Sequence, residues 1–242
     1  MNILLLEPTD IVDKGRAVIT DQRQNHVRTV QRAVVGDSLR VGEIDGQMGR
    51  GQIVALREGY LELSYQVDCT PPAALNITVV LALPRPKMLK RTLHTLACMG
   101  VKRIVLLNSY RVEKSFWQTP LLKPESIRAQ LLQGLAQARD TVVPEIIVAR
   151  LFRPFVEDRL AALCAGKSKL LAHPGTDQPC PSAIAGPAVV AIGPEGGFIP
   201  YEVEALTQAG FQGVHLGPRI LRVEMAVPVL LGRLYPHRGP SM

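Results

Sequence analysis

A chain of 242 residues, 47% hydrophobic and 20% charged, is long enough to bury one large core or two modest ones and too apolar for disorder. No apolar run approaches the roughly 20 residues that span a bilayer, the stretch Met1 to Glu7 lacks the basic flank and length of a secretion signal, and the four scattered cysteines (Cys69, Cys98, Cys164, Cys180) contain no C-x-x-C pair for a metal or disulfide framework. The expected setting is therefore cytoplasmic, with no membrane and no metal, and the net charge of +7 favours a polyanionic partner over an acidic or neutral one.

In chain order, Asp21 to Gln31 predicts a short helix. From Ser38 to Val67 the texture is short strands and tight turns. Asp45-Gly46 and Glu58-Gly59 are hairpin signals, and Tyr60-Leu61-Glu62-Leu63-Ser64-Tyr65 alternates. Pro71-Pro72 then marks a boundary, giving a small β-rich domain over 1–72 and a second domain over 73–242.

The second domain alternates apolar strands with helices. Strands are predicted at Ile77 to Leu83, Arg103 to Leu107, Glu145 to Ala149, Lys169 to Ala172, Ala188 to Ile192 and Val214 to Leu216. Helices are predicted at Lys87 to Met99, closed by Gly100, then Glu125 to Ala138, Phe155 to Ala165, Tyr201 to Ala209 and from Leu221 onward. Strands that are apolar on both faces and separated by helices specify a mostly parallel α/β sheet. The basic character belongs to this domain: up to Pro72 there are eight Lys and Arg against ten Asp and Glu, and beyond it twenty against eleven.

Ligands of such sheets bind beyond the carboxyl ends of the strands. Three loops of the C-terminal half are expected there: His173-Pro174-Gly175, Gly193-Pro194-Glu195-Gly196-Gly197 and Gly217-Pro218-Arg219. The first strand runs into Pro84-Arg85-Pro86-Lys87, without the G-x-G-x-x-G of dinucleotide folds, and no phosphate-binding loop, H-E-x-x-H or G-x-S-x-G is present. A lone glycine-rich loop reads as a tight turn. This one is followed some twenty residues later by Leu216-Gly217-Pro218-Arg219-Ile220-Leu221-Arg222-Val223-Glu224 and a helix.

The pair IGPEGG and LGPRILRVE resembles the SPOUT methyltransferase superfamily, and within it the ribosomal RNA small subunit methyltransferase E family. The resemblance covers nearly the whole chain. Asn25-His26-Val27 with Arg32 and Gly36-Asp37, Met99-Gly100-Val101, Val143-Pro144-Glu145-Ile146 and Leu171-Ala172-His173-Pro174 match further family stretches in order. Four places depart from it: Arg222-Val223-Glu224-Met225 stands where the family carries RTET, Gln137-Ala138-Arg139-Asp140 differs from its counterpart, Cys98 replaces an acid before Met99-Gly100-Val101, and Thr29 stands where an arginine often follows the histidine.

The resemblance implies an α/β fold with a parallel-sheet SPOUT methyltransferase domain knotted as a trefoil, behind a small N-terminal PUA-like β-barrel that binds RNA. It implies a homodimer, S-adenosylmethionine as cofactor, and methylation of N3 of a uridine in 16S ribosomal RNA of the small subunit. The adenosine pocket is expected to take apolar walls from Leu171, Ile192, Leu216, Ile220 and Leu221. Its backbone contacts would come from His173, Gly193, Gly197 and Leu216, with Pro174, Glu195 and Gly196 shaping the loops. Arg222 is the candidate for stabilising negative charge on uracil and Glu224 for accepting a proton or orienting Arg222; the plain alternative is a first-turn pair favoured by the helix dipole. RNA contacts are expected from His26, Arg28 and Arg32, and from the cluster Arg85, Lys87, Lys90 and Arg91, which otherwise reads as a solvated helix face. Two other functions are compatible with the residues: ribose 2′-O-methylation of RNA, as in related knotted enzymes, and a catalytically inactive RNA-binding assembly factor.

Overall fold

The computed structural model describes residues 2–236. The chain divides into two compact units, Met1–Ala73 with Leu132–Val143, and Ala74–Leu131 with Pro144–Met242. Among the described residues, no helix is long and apolar enough to cross a membrane.

The first unit is a six-stranded mixed sheet. Its strands are β1 (Leu4–Leu6), β2 (Ile11–Asp13) and β3 (Arg16–Ile19), then, after helix α1 (Gln22–Thr29), β4 (Ser38–Glu43), β5 (Met48–Arg57) and β6 (Tyr60–Cys69). Their order is β1-β4-β5-β6-β3-β2. The β1–β4 pair is parallel and the rest antiparallel. The three strands before α1 lie outside the β-rich stretch read from the sequence. They are three or four residues long, too short for alternation to register. Both hairpin signals form turns, with Asp45 and Gly59 at positive φ. Alternate residues of the long strands face one core: Ile53 of β5 and Leu61, Leu63 and Tyr65 of β6 meet Leu4, Leu6, Ile19, Val27 and Val41.

Residues Leu132–Val143 return to this unit through backbone groups that would otherwise lack partners. The Asn2 N–H donates to the Ala136 carbonyl (2.9 Å) and the Asp45 N–H to that of Thr141 (2.9 Å). The Val143 N–H donates to Asp45 Oδ1 (2.8 Å).

One ion network ties α1 to the sheet. Asp21 caps the helix, accepting the Arg23 N–H. The Arg23 guanidinium forks onto Asp10 (2.7 and 2.9 Å), reaches Asp21 and donates to the Leu5 carbonyl. Burial opposes the Arg23 charge, but the bonds to Asp21 and Asp10 raise its pKa all the same. The Arg23 side-chain bond holds the Asp21 carboxyl below its ordinary 3.8. A depressed carboxylate contributes stability that is full above its unfolded value and lost as pH falls through the folded one. Asp10→Ala removes the two fork bonds and leaves the half-buried guanidinium with Asp21 and the Leu5 carbonyl; it is expected to lower stability by about 2 kcal/mol. Urea melts of the full chain from neutral pH to below pH ~4 should show a lower midpoint in the variant throughout the neutral range, and a wild-type midpoint that falls only at the acid end.

The second unit is a six-stranded, wholly parallel sheet. Its elements are β7 (Leu75–Ala82), α2 (Pro86–Cys98), β8 (Val101–Leu107), the part of α3 (Pro124–Ala138) up to Leu131, β9 (Glu145–Ala149), α4 (Phe152–Pro154), a π turn over Phe155–Arg159, α5 (Leu160–Cys164), β10 (Ser168–Ala172), β11 (Ala188–Ile192), α6 (Pro200–Gln208), β12 (Gln212–Val214) and α7 (Val223–Leu234). Strand order is β12-β10-β11-β7-β8-β9. The predicted last strand, Val214 to Leu216, corrects to β12: only Val214 belongs to it, His215 forms a lone parallel bridge with Pro179, and Leu216 lies in a loop. The residues of β11 and most of β7 are fully buried, as strands covered on both faces must be. Helix α2 buries Leu89, Thr92, Leu93, Leu96 and Ala97 at helical spacing and packs against α7. Gly100 at φ +78 ends it.

Candidate functional site

The register of the parallel ladders decides where the three C-terminal loops go. Ala172, the last residue of β10, pairs with Ile192 of β11 on one side and Val214 of β12 on the other. Three strands therefore end level, and the loops that leave them open onto one cavity of about 450 Å³. That volume is in the range of cofactor pockets.

Each loop has a local reason for its shape. The His173 N–H donates to the Val214 carbonyl (3.0 Å), extending the pairing one residue past β10. In the second loop the Gly197 N–H closes a turn onto the Pro194 carbonyl (2.8 Å), and Gly197 sits at φ +73. Gly193 leaves little room for a side chain: a Cβ there would lie 3.1 Å from the Phe198 nitrogen and 3.2 Å from the Gly197 Cα. Glu195 anchors the loop from outside, accepting the Arg85 N–H (3.1 Å) at the start of α2. In the third loop the Gly217 N–H donates to His215 Nδ1 (3.0 Å), and Gly217 has φ +114. The acceptor role of Nδ1 leaves the proton of a neutral ring on Nε2.

Most of the expected pocket residues line this cavity: His173, Pro174, Ile192, Gly193, Glu195, Gly196, Gly197, Leu216, Ile220 and Leu221. Leu171 is outside the lining; it is fully buried inside the sheet, and Ala172, one step nearer the strand end, takes the wall position. Arg222 lines the cavity as the N-cap of α7, where its carbonyl accepts the Met225 and Ala226 N–H groups (2.9 and 2.8 Å). The partial positive charge of the helix start adds to that of the guanidinium. Glu224 stands in the first turn of α7, outside the lining, with Oε2 buried and without a hydrogen-bond partner. Pro228 lies within α7 and supplies no N–H to the Glu224 carbonyl one turn back.

Sequence reasoning missed Arg111. It comes from the segment after β8 and reaches the cavity to donate to the Gly196 carbonyl. No motif surrounds it, and only the sheet order brings it there.

The cationic residues separate by unit. Arg85, Lys87, Lys90 and Arg91 are all exposed at the start of α2 in the second unit. Cations at a helix N-terminus oppose the dipole, so they do not serve the helix itself. In the first unit His26 and Arg28 lie on α1 and Arg32 follows it, exposed and at φ +53. Val30, Val34 and Val35 are exposed around it.

Residues 71–235 match the model of the RNA methyltransferase domain family. The chain is 31% identical over 237 residues to a ribosomal RNA small subunit methyltransferase E of Treponema pallidum, covering 93% of this chain and 87% of the relative. It is 27% identical to the protein of the same name from Mycobacterium bovis, covering 96% and 91%. The fold is that of a solved ribosomal RNA small subunit methyltransferase E from Neisseria gonorrhoeae bound to S-adenosyl methionine, with a TM-score of 0.75, 21% identity and 96% of each chain covered.

Proposed function

This chain belongs to the ribosomal RNA small subunit methyltransferase E family, and from that premise we propose that it transfers a methyl group from S-adenosylmethionine to N3 of a uridine in 16S ribosomal RNA. The observation that carries the reading is the convergence of three level strand ends on one cavity with Arg222 at a helix start in its wall.

The residues present fit the cofactor. The absence of a Cβ at Gly193 and the turn at Gly197 let backbone approach an adenosine closely. Ile192, Leu216, Ile220 and Leu221 offer apolar walls, and Arg111 braces the Gly196 carbonyl from behind. When bound, S-adenosylmethionine supplies a methyl group on a cationic sulfonium. The protein's part is to prepare N3 of uracil, which carries a proton and is a weak nucleophile until it loses it. Arg222, reinforced by the start of α7, stabilises the negative charge that spreads onto the flanking carbonyl oxygens. In this reading Glu224, in the first turn of the same helix and outside the cavity lining, orients Arg222, and the N3 proton passes to solvent.

The proposal extends to a trefoil knot in the second unit, a PUA-like barrel in the first, a homodimer and a cytoplasmic location. Two contacts support the knot: the 183–184 N–H groups donate to the Arg233 and Leu234 carbonyls, and the 178–180 stretch bonds to both sides of His215. Helix α1 against the mixed sheet supports the barrel. Met225 and Val229, exposed one turn apart on α7, with Ile220 and Leu221 exposed just before it, support a second copy on this helix. His26, Arg28 and Arg32 in one unit, and Arg85, Lys87, Lys90 and Arg91 in the other, are the proposed phosphate contacts.

Glu195→Ala removes the acceptor of the Arg85 N–H. It is expected to weaken cofactor binding about tenfold, the value of a hydrogen bond to a charged group, measured by calorimetry. The function itself is tested by incubating the protein with methyl-labelled S-adenosylmethionine and small ribosomal subunits that lack the modification. Label in the 16S RNA supports catalysis. Measurable cofactor binding without label would point instead to an RNA-binding assembly factor.

A further inference from the structure

A second cavity, of about 650 Å³, opens beside the first in the same unit and has no part in the mechanism above. Two chain segments separate them. In the segment after β8, Arg111 faces the first cavity while Asn108, Ser109 and Tyr110 face the second. In the segment leading into α6, Gly196 to Phe198 line the first cavity, and Ile199, with Tyr201 and Glu202 in the first turn of α6, lines the second. Glu202 pins the two segments together: its buried carboxylate accepts the Tyr110 N–H (2.7 Å) and the Ile199 N–H (3.0 Å). The one acid of the lining is thus committed to backbone, and the side chains left to a ligand are aromatic, cationic and neutral.

Those side chains have a particular chemistry. The Trp117 indole N–H donates to Asn108 Oδ1 (2.7 Å), which fixes its ring. The Arg150 guanidinium lies over that ring, 5.0 Å from its centre. Phe152 and Tyr201 stand with ring centres 6.4 Å apart, and Tyr110 and Tyr201 are largely exposed. Lys114 adds a further cation. Ser109 is 3% exposed and its Oγ has no partner. A buried hydroxyl without a partner in a cavity wall is costly unless something completes it.

Stacking faces, guanidinium planes and one unmet polar group are what an unstacked nucleobase requires. We infer that this cavity is a nucleobase subsite, which takes the base of a nucleotide neighbouring the methylated one and so holds the RNA strand open at the first cavity. This rests on RNA being the substrate. Glu202 links the subsite to the cofactor loop, because the segment it fixes continues directly from Gly196 and Gly197.

Trp117 is the only tryptophan of the chain, so its fluorescence reports on this cavity alone. Titration with a short single-stranded oligouridylate should quench it saturably, and S-adenosylhomocysteine should not displace the RNA. Tyr201→Ala and Arg150→Gln should each weaken RNA binding about tenfold, the low end of a lost base stack, with S-adenosylhomocysteine affinity unchanged. Tyr201→Phe should retain wild-type binding. RNA binding without quenching, or wild-type RNA affinity in both Tyr201→Ala and Arg150→Gln, would overturn the subsite. Methyl transfer by the wild type is scored separately. Quenching as expected without methylation would sink the enzyme reading and leave the subsite standing, and methylation with no quenching would do the reverse.

Discussion

Arg222→Ala is expected to lower turnover by about 10²–10³-fold, the usual loss when a preorganised donor to a developing anion is removed, while the protein still binds S-adenosylmethionine. The physical basis is position. Arg222 is the N-cap of α7, so its backbone is fixed by the Met225 and Ala226 N–H groups while its side chain faces the cavity. Arg222 is exposed, so removing its guanidinium should leave the fold intact. Arg222→Lys keeps the charge but not the planar fork and should recover only part of the loss. Single-turnover methyl transfer at saturating cofactor reads this directly. A variant with wild-type turnover and a raised KM for RNA would make Arg222 a phosphate contact.

Gly193→Ala is expected to weaken cofactor binding by about 10- to 100-fold, the binding equivalent of the 1–3 kcal/mol that overpacking costs. Two of the atoms that a Cβ would meet, the Phe198 nitrogen and the Gly197 Cα, are backbone of the loop that lines the cavity, and the third belongs to the buried Phe198 ring. They can yield only by moving that loop. Gly196→Ala is the internal control: its Cβ would meet Arg111 Cδ at 3.1 Å, the flexible part of a side chain that can swing aside. Calorimetry on the two variants should rank Gly193→Ala well below Gly196→Ala. Equal affinities would mean that the loop backbone does not form the adenosine cradle.

How far these sites were legible depends on whether the signal is local. Strands β9 and β11 fall where the apolar runs place them; β11 is buried along its whole length, and a strand covered on both faces writes its length into consecutive apolar residues. The three loops were legible as glycine-rich turns after such strands, and the register of β10 with β11 and β12 brings them together. What stayed hidden is non-local or very short. Strands β1 to β3 have too few residues to show a period. Residues 132–143 read as the end of one helix and a loop; nothing in them announces that their carbonyls and N–H groups pair with Asn2 and Asp45. Arg111, Trp117, Arg150 and Tyr201 are unremarkable one at a time and become sites only through the sheet order. Leu171 was read as a cavity wall because it is apolar and near the strand end; the ladder ends one residue later and gives that place to Ala172.

The measurement that bears most directly on the central claim is the identity of the methylated nucleoside. Small ribosomal subunits lacking the modification are incubated with the protein and S-adenosylmethionine, and the 16S RNA is digested and resolved by mass spectrometry. N3-methyluridine, lost in the Arg222→Ala variant, is the predicted result. A ribose-methylated nucleoside, or a methyl group on any atom other than uridine N3, would contradict it.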